Sequence, residues 1–151
     1  AAALSGFKLI VLDDRAKYAT PERFPGAATI LVQDWESALE GLKLTSSSYV
    51  FVATQRPASD RLCLRHAVQS PARYIGMLGS LTKTKILLDA LRREGVEQAR
   101  LERVFVPAGL DIGAETPEEI AASVVPELVA ARKNLDVRKL RDAVRQTKAA
   151  M

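Results

Sequence analysis

The stretch RYIGMLGSLTKTKILLDALRREG, residues 73–95, decides the fold. Arg73 to Leu78 is a short run rich in strand formers, and it reads as a strand. Gly79-Ser80 breaks it. From about Leu81 to Glu94, the residues Ile86, Leu87, Ala90 and Leu91 recur at helical spacing, and Gly95 ends the helix. A strand that passes through a two-residue turn into a helix is the building unit of an α/β sheet.

The same alternation extends in both directions. Upstream, strands are expected at Lys8 to Leu12, Ala28 to Val32 and Tyr49 to Ala53. Asp34 is placed to cap a helix reaching about Leu42. Ser59 or Asp60 is expected to cap the next, which turns Leu64, Ala67 and Val68 inward. Downstream, Leu101 to Val106 holds a helical turn and a fifth strand, and Pro107 to Gly113 is a loop. Thr116-Pro-Glu-Glu is a helix start, with Thr116 as cap, Pro117 at the first helical position and Glu119 closing a capping box. Pro126 should kink or split that helix, because its ring displaces the preceding turn and it has no N–H for Ala122. A last helix, about Asp136 to Lys148, lines up Val137, Leu140 and Val144. The expectation is one α/β domain over residues 1–151, with at least four mainly parallel strands in one sheet and helices on both faces.

Composition narrows the function. Of 151 residues, 48% are hydrophobic and 26% charged, an ordinary globular balance. Aromatics are only 5%, which disfavours a stacking surface for nucleic acid. The net charge of +4 suits a phosphate ligand or an acidic partner but is no polybasic tract. One cysteine, Cys63, and one histidine, His66, exclude an intrachain disulfide and any multi-Cys or multi-His metal centre, so no metal site is assigned. No apolar run approaches the ~20 residues of a membrane span, and the opening AAALSGFK is unlike a signal peptide. A reduced, cytoplasmic protein is the expectation.

Parallel strands gather their following loops at one edge, where such sheets bind ligands. Four segments belong there: Asp13-Asp14-Arg15, Thr54-Gln55-Arg56, Gly79-Ser80, and the loop Gly109-Leu110-Asp111-Ile112-Gly113. Asp13 and Asp14 suit acceptance from ribose hydroxyls, or pairing with Arg15 or Arg23; no glycine-rich element precedes them. Gly79-Ser80 can present backbone N–H groups to an anion. Lys83 and Lys85 in that helix's first turns oppose its dipole at roughly 0.3–1 kcal/mol each, a cost that a bound phosphate offsets and that solvent exposure also softens. Gly109 and Gly113 bracket Asp111, either shaping a pocket or making a tight turn. Cys63 and His66 lie three apart on one helix, but a buried thiol and a satisfied imidazole are favoured over a nucleophile pair. Trp35 and Tyr74 read as packing residues, and no catalytic residue is assigned.

Four stretches together, GFKLIVLDDR (6–15), RFPGA (23–27), YIGMLGSLTKTK (74–85) and PAGLDIGAETPEEIAASVVPEL (107–128), carry a family likeness. The sequence resembles the carboxy-terminal Rossmann-like domain of the XdhC/CoxI family, accessory proteins of xanthine dehydrogenase and related molybdenum hydroxylases. The resemblance implies a Rossmann-like three-layer α/β domain. It implies a carrier more than a catalyst, one that binds molybdenum cofactor (molybdopterin or its dinucleotide form), assists its sulfuration and delivers it to an apo-hydroxylase. A molybdenum hydroxylase and a sulfur-donating desulfurase are then the partners. The ligand set expected is Asp13, Asp14, Arg15, Thr54, Gly79, Ser80, Lys83, Gly109, Asp111 and Gly113.

Three departures stand out. Where the family carries a histidine after the third strand, Thr54 is followed by Gln55 and Arg56, with Asp60 retained; where it carries an arginine after glycine-serine, Leu81 stands. The family's opening strand, glycine-rich turn and helix are not seen before Gly6. An NAD(P)-binding oxidoreductase-like domain and an interaction module without ligand are the alternatives. In a dinucleotide-type sheet the first strand is central. An empty central slot is therefore expected to be covered by self-association into a homo-oligomer, closed directly within one chain, or occupied by a separately lost upstream segment.

Overall fold

The computed structural model describes residues 1–150. After a 3-10 turn at Ala3–Ser5, the chain runs β1 (Leu9–Asp13), β2 (Ala27–Val32), α1 (Trp35–Gly41), β3 (Tyr49–Val52), α2 (Pro57–Gln69), β4 (Tyr74–Met77), α3 (Leu81–Arg93), α4 (Gln98–Leu101), β5 (Val104–Phe105), α5 (Pro117–Arg132) and α6 (Val137–Ala150). The strand–helix alternation is as expected, with boundaries displaced by a residue or two.

Strand β4 is the structural centre. All four of its residues are buried, with β3 and β5 pairing parallel on either side. Alternate side chains face opposite layers. Ile75 and Met77 join Val52 and Val104 against Leu64, Ala67 and Val68 of α2, Leu87 and Leu91 of α3, and Leu101 of α4. Tyr74 faces the other way, with Tyr49 and Phe105, against Val124, Leu128 and Ala131 of α5 and Val137 of α6. The result is three layers. Each large apolar side chain fully buried there contributes about 1.5–3 kcal/mol. Gly76 keeps the Tyr74 face open: a Cβ there would lie 2.5 Å from the Tyr74 hydroxyl. The Tyr74 ring instead lies along the strand and stacks on Phe105, with centroids 5.2 Å apart and planes 7° from parallel.

The caps follow the sequence. Asp34 accepts from the Ser37 N–H at 2.9 Å, and Thr116 and Glu119 form the complete capping box of α5. The start of α2 differs from expectation. Its cap is Arg56, and Pro57 opens the helix, so neither Ser59 nor Asp60 caps it. The Pro57 ring fixes a helical φ at least three residues earlier than expected. That leaves the Asp60 carboxylate to turn back and accept from the Thr54 N–H at 3.0 Å and the Thr54 hydroxyl at 2.7 Å.

Pro126 neither splits nor ends α5, which runs unbroken through it. Close by, the Ser123 carbonyl accepts from the Leu110 N–H at 3.0 Å, so the loop after β5 is hydrogen-bonded to the helix backbone in the turn that Pro126 follows.

The expectation of one sheet with at least four strands is corrected. The strands form two parallel sheets, β1-β2 and β3-β4-β5. A backbone ladder needs strands about 4.8 Å apart. Strands β1 and β3 are linked instead by side chains, Phe7 just ahead of β1 against Tyr49 at the start of β3, and Asp14 with Arg56 after both strands. Direct closure of the sheet does not occur. Among the described residues, no helix is long and apolar enough to cross a membrane.

Candidate ligand-binding site

Because β3, β4 and β5 are parallel, the segments that follow them emerge at one edge. Backbone bonds fix the relation: the Leu78 N–H donates to the Val52 carbonyl at 2.8 Å, and the Ala108 N–H to the Met77 carbonyl at 2.9 Å. The end of β1 joins this edge through the Asp14–Arg56 ion pair. The structure thus brings Asp13, Asp14 and Arg15 beside Thr54, Arg56 and Asp60.

Asp13 is already engaged. Its carboxylate accepts from the Arg15 backbone N–H at 3.0 Å and from the guanidinium at 2.8 Å through each oxygen. These bonds to Arg15 hold the Asp13 carboxyl below its ordinary range, against a smaller opposing effect of desolvation. Of the two roles open to Asp13 from sequence, pairing with Arg15 is the one seen. A ribose hydroxyl would have to displace that guanidinium.

Gly79 and Ser80 lead into α3 as expected. Ser80 caps the helix, its hydroxyl accepting from the Lys83 N–H at 3.3 Å, and its carbonyl takes the Thr84 hydroxyl at 3.0 Å. Helices α1, α2 and α5 carry an acid in the first turn, whereas α3 carries none and has exposed Lys83 there, with exposed Lys85 just beyond. The N-terminal pole of α3 therefore lacks the negative charge that the other three supply from within. Leu78, Leu81 and Ile112, in the turns around this edge, are 43%, 68% and 56% exposed.

The loop after β5 is held from below by a residue that sequence reading missed. Glu127 of α5 is fully buried. One of its carboxylate oxygens accepts from the Tyr74 hydroxyl at 2.6 Å and from the Gly109 N–H at 3.0 Å; the other accepts from Arg141 of α6 at 2.9 Å. Arg141 also donates to the Pro107 carbonyl at 2.9 Å. Four elements, β4, the loop, α5 and α6, thus meet at one buried carboxylate with charge and hydrogen bonds satisfied. Burial, then the charge and hydrogen bond of Glu127, push the Tyr74 hydroxyl well above its ordinary range, so it stays a donor. Gly109 sits at φ +98°, and a Cβ there would collide with the Ser123 hydroxyl, so only glycine fits. The signal for Glu127 was available: it falls on the buried stripe Val124, Glu127, Leu128, Ala131 of α5. Arg141 likewise continues the inward line from Val137 on α6.

Asp111 does not turn toward the other candidates. It pairs with Lys148 of α6 at 2.5 Å, and that hydrogen bond holds its carboxyl below the ordinary range. Gly113, at φ +76°, faces open space. Cys63 is buried, and burial together with the nearby Asp60 pushes its thiol up to about 12. His66 Nε2 lies 3.0 Å from the Leu42 carbonyl. Both match the structural reading, and no nucleophile pair forms. Trp35 packs as expected, although its Nε1 has no partner. Among the described residues, no group of three or more His, Cys, Asp or Glu is disposed to hold a metal. Two cavities, of 290 and 440 Å³, are lined by residues such as Arg73, Glu102, Arg103 and Arg138. They lie at the amino-terminal ends of β4 and β5, opposite the edge described here.

Comparison with known proteins bears on this arrangement. Residues 1–128 match the family described as the XdhC Rossmann domain. The chain is 36% identical over 134 residues to the uncharacterized protein YqeB of Escherichia coli, covering 88% of this chain and 24% of that protein. It is 35% identical over 136 residues to a Bacillus subtilis protein described as a probable xanthine dehydrogenase subunit, covering 90% of this chain and 39% of that one. A solved structure, described as a xanthine dehydrogenase from Bacillus halodurans, superposes with a TM-score of 0.78 at 29% identity, over 89% of this chain and 38% of the other. The chain therefore spans about a quarter to two-fifths of the relatives it matches.

Proposed function

The chain belongs to the XdhC Rossmann-domain family, and from that premise we propose that it serves a molybdenum hydroxylase of the xanthine dehydrogenase type as an accessory domain. In this reading it binds the molybdenum cofactor, as molybdopterin or its dinucleotide, and presents it for sulfuration and insertion. The observation that carries the reading is the match over residues 1–128, together with the likeness to proteins named for xanthine dehydrogenase. The apo-hydroxylase and a sulfur-donating desulfurase are the proposed partners, and the cytoplasm the proposed compartment. Self-association has as its support the unpaired edges of β1 and β3.

The residues present suit the phosphate of such a ligand. Ser80, the backbone N–H groups of the first turn of α3, and Lys83 supply donors and positive charge without an internal acid to compete. The cofactor itself supplies the redox chemistry of the client enzyme. This chain's part is to hold the phosphate, with the loop Pro107 to Gly113 as one wall, anchored through Gly109 to Glu127. Thr54 and Arg56 make the neighbouring wall, braced by Asp60 and Asp14. A nicotinamide dinucleotide is the weaker alternative, because both oxygens of Asp13 are occupied by Arg15.

Mass spectrometry of small molecules released from the purified protein tests the proposal. A pterin phosphate is the expected species. A nicotinamide dinucleotide would favour an oxidoreductase-like domain, and no bound molecule after purification from a cofactor-producing host would favour a bare interaction module.

A further inference from the structure

The end of the sheet opposite the ligand edge carries the two cavities of 290 and 440 Å³. Arg73 leads into β4 there, Arg103 leads into β5, and Arg138 lies in the first turn of α6. These three line the smaller cavity, over a floor of Ala72, Ile75 and Phe105. Leu88, Leu101 and Val104 form the apolar side of the larger one. Arg138 and Glu102 line both, so the two adjoin as one groove.

The charge of these three guanidiniums is unanswered. Arg15, Arg56, Arg61, Arg92 and Arg141 each have a carboxylate within salt-bridge reach; among the described residues, Arg73, Arg103 and Arg138 have none. Their bonds go to neutral acceptors. Arg73 donates to the Ser46 carbonyl at 3.0 Å and to the Asn134 amide oxygen at 3.4 Å. Arg103 donates to the Ser70 carbonyl at 3.0 Å and to the Ala72 carbonyl, and Arg138 donates to the Glu102 carbonyl. The acids nearest in the chain are turned elsewhere. The Glu102 carboxylate accepts from the Gln98 side chain at 3.0 Å, and that of Asp136 from the Arg138 backbone N–H at 2.9 Å. A guanidinium has five N–H donors, so each of the three keeps some unspent. Like charges gathered round one cavity repel, and a carboxylate placed among them relieves that repulsion.

We propose that this groove docks an acidic segment of a partner protein, its carboxylates on Arg73, Arg103 and Arg138 and an apolar side chain against Leu88, Leu101 and Val104. Planar guanidiniums match carboxylates through paired hydrogen bonds, and arginine beside apolar surface is the make-up of a protein interface. Nucleic acid fits less well. Bases need open aromatic faces, whereas Phe105 is stacked on Tyr74 and has the Arg138 guanidinium 5.0 Å from its centroid. An inorganic anion would leave the apolar floor uncovered. A segment seated here lies at the amino-terminal ends of β4 and β5 and leaves the carboxyl edge of the same strands open. The inference stands apart from the ligand reading, because the two places share no residue.

The probe is a synthetic peptide, Leu-Leu-Glu-Glu-Leu-Leu, which offers acid and then apolar side chains in either chain direction. Two companions carry Gln in place of Glu, or Ser in place of Leu. Each is titrated at low salt into the isotope-labelled chain and followed by NMR. The expected result is saturable shifts centred on Arg73, Ala99, Glu102 and Arg138, with each companion at least ~10-fold weaker and the affinity falling as salt is added. Arg73→Glu and Arg138→Glu should each weaken the peptide at least ~10-fold, with little change in the urea midpoint, because both side chains are exposed. Lys83→Glu should leave peptide affinity unchanged, which separates this groove from the ligand edge. Absence of saturable binding, shifts centred elsewhere, or equal affinity for the Gln companion would overturn the inference. So would an affinity unchanged in either arginine variant, or a single-stranded oligonucleotide that binds these residues more tightly than the peptide.

Discussion

Tyr74–Met77 and Leu9–Asp13 are both short, apolar, parallel strands, yet every residue of the first is buried and none of the second. The difference is not composition. Strand β4 has partners on both edges and helices on both faces, whereas β1 has one partner. Apolar content makes a strand eligible for a core; pairing and cover place it there. The candidate ligand edge is built mainly on the covered half, where a fixed scaffold can hold loops to a set geometry.

The comparison breaks first at Glu127. Glu127→Ala leaves Arg141 buried without its carboxylate and strips partners from Tyr74 and Gly109. A loss of about 3–5 kcal/mol is expected in chemical denaturation. Glu127→Gln keeps the shape and should cost less. A loss under ~1 kcal/mol for the alanine variant would mean that the network does not hold β4, the loop, α5 and α6 together.

Matched truncations sharpen the comparison. Ile75→Ala should cost about 2–5 kcal/mol, and Ile10→Ala under about 1 kcal/mol, because Ile75 is 1% exposed and Ile10 is 45% exposed. Equal losses by thermal or urea unfolding would show that β1 is covered in solution. Gly109→Ala comes next, at about 1–3 kcal/mol, from a positive φ and a collision with Ser123. Its chemical-shift changes should spread through residues 107–113.

Much of this was readable in advance where the determinants are local. Asp34 and the Thr116–Glu119 box act within one turn of helix, so the sequence alone locates them. The start of α2 was misread because Pro57 at the first helical position outranks a capping side chain further on. The continuity of α5 through Pro126 and the role of Glu127 depend on contacts between elements far apart in sequence. The Asp13–Arg15 pair was one of two readings, and only geometry chooses between them. The split into two sheets could not come from the pattern, because each strand looks the same whether or not its neighbour lies within pairing distance.

The smallest expected effect is one of pH. Bonds to Arg15 and Lys148 depress the Asp13 and Asp111 carboxyls in the folded state. Their contribution is present above the unfolded value near 3.8 and is lost as pH falls through the lower folded values. The Asp111–Lys148 pair is exposed and the Asp13–Arg15 pair partly so, and solvent screening keeps each contribution small. Asp13→Asn should cost a small amount of stability near neutrality, and the difference from the wild type should close as pH falls below about 4. A large loss at pH 7 would mean that the pair does more than this.

The central claim is that an anionic ligand binds at the carboxyl edge of the covered sheet, at the start of α3. A low-salt titration of the labelled chain with pyrophosphate, followed residue by residue by NMR, tests it most directly. The expected result is saturable shifts confined to Gly79–Lys83 and the adjoining loops, weakened at least ~10-fold by Lys83→Glu. Shifts centred instead on Arg73, Arg103 and Arg138 at the opposite end, or an affinity unchanged in Lys83→Glu, would contradict it.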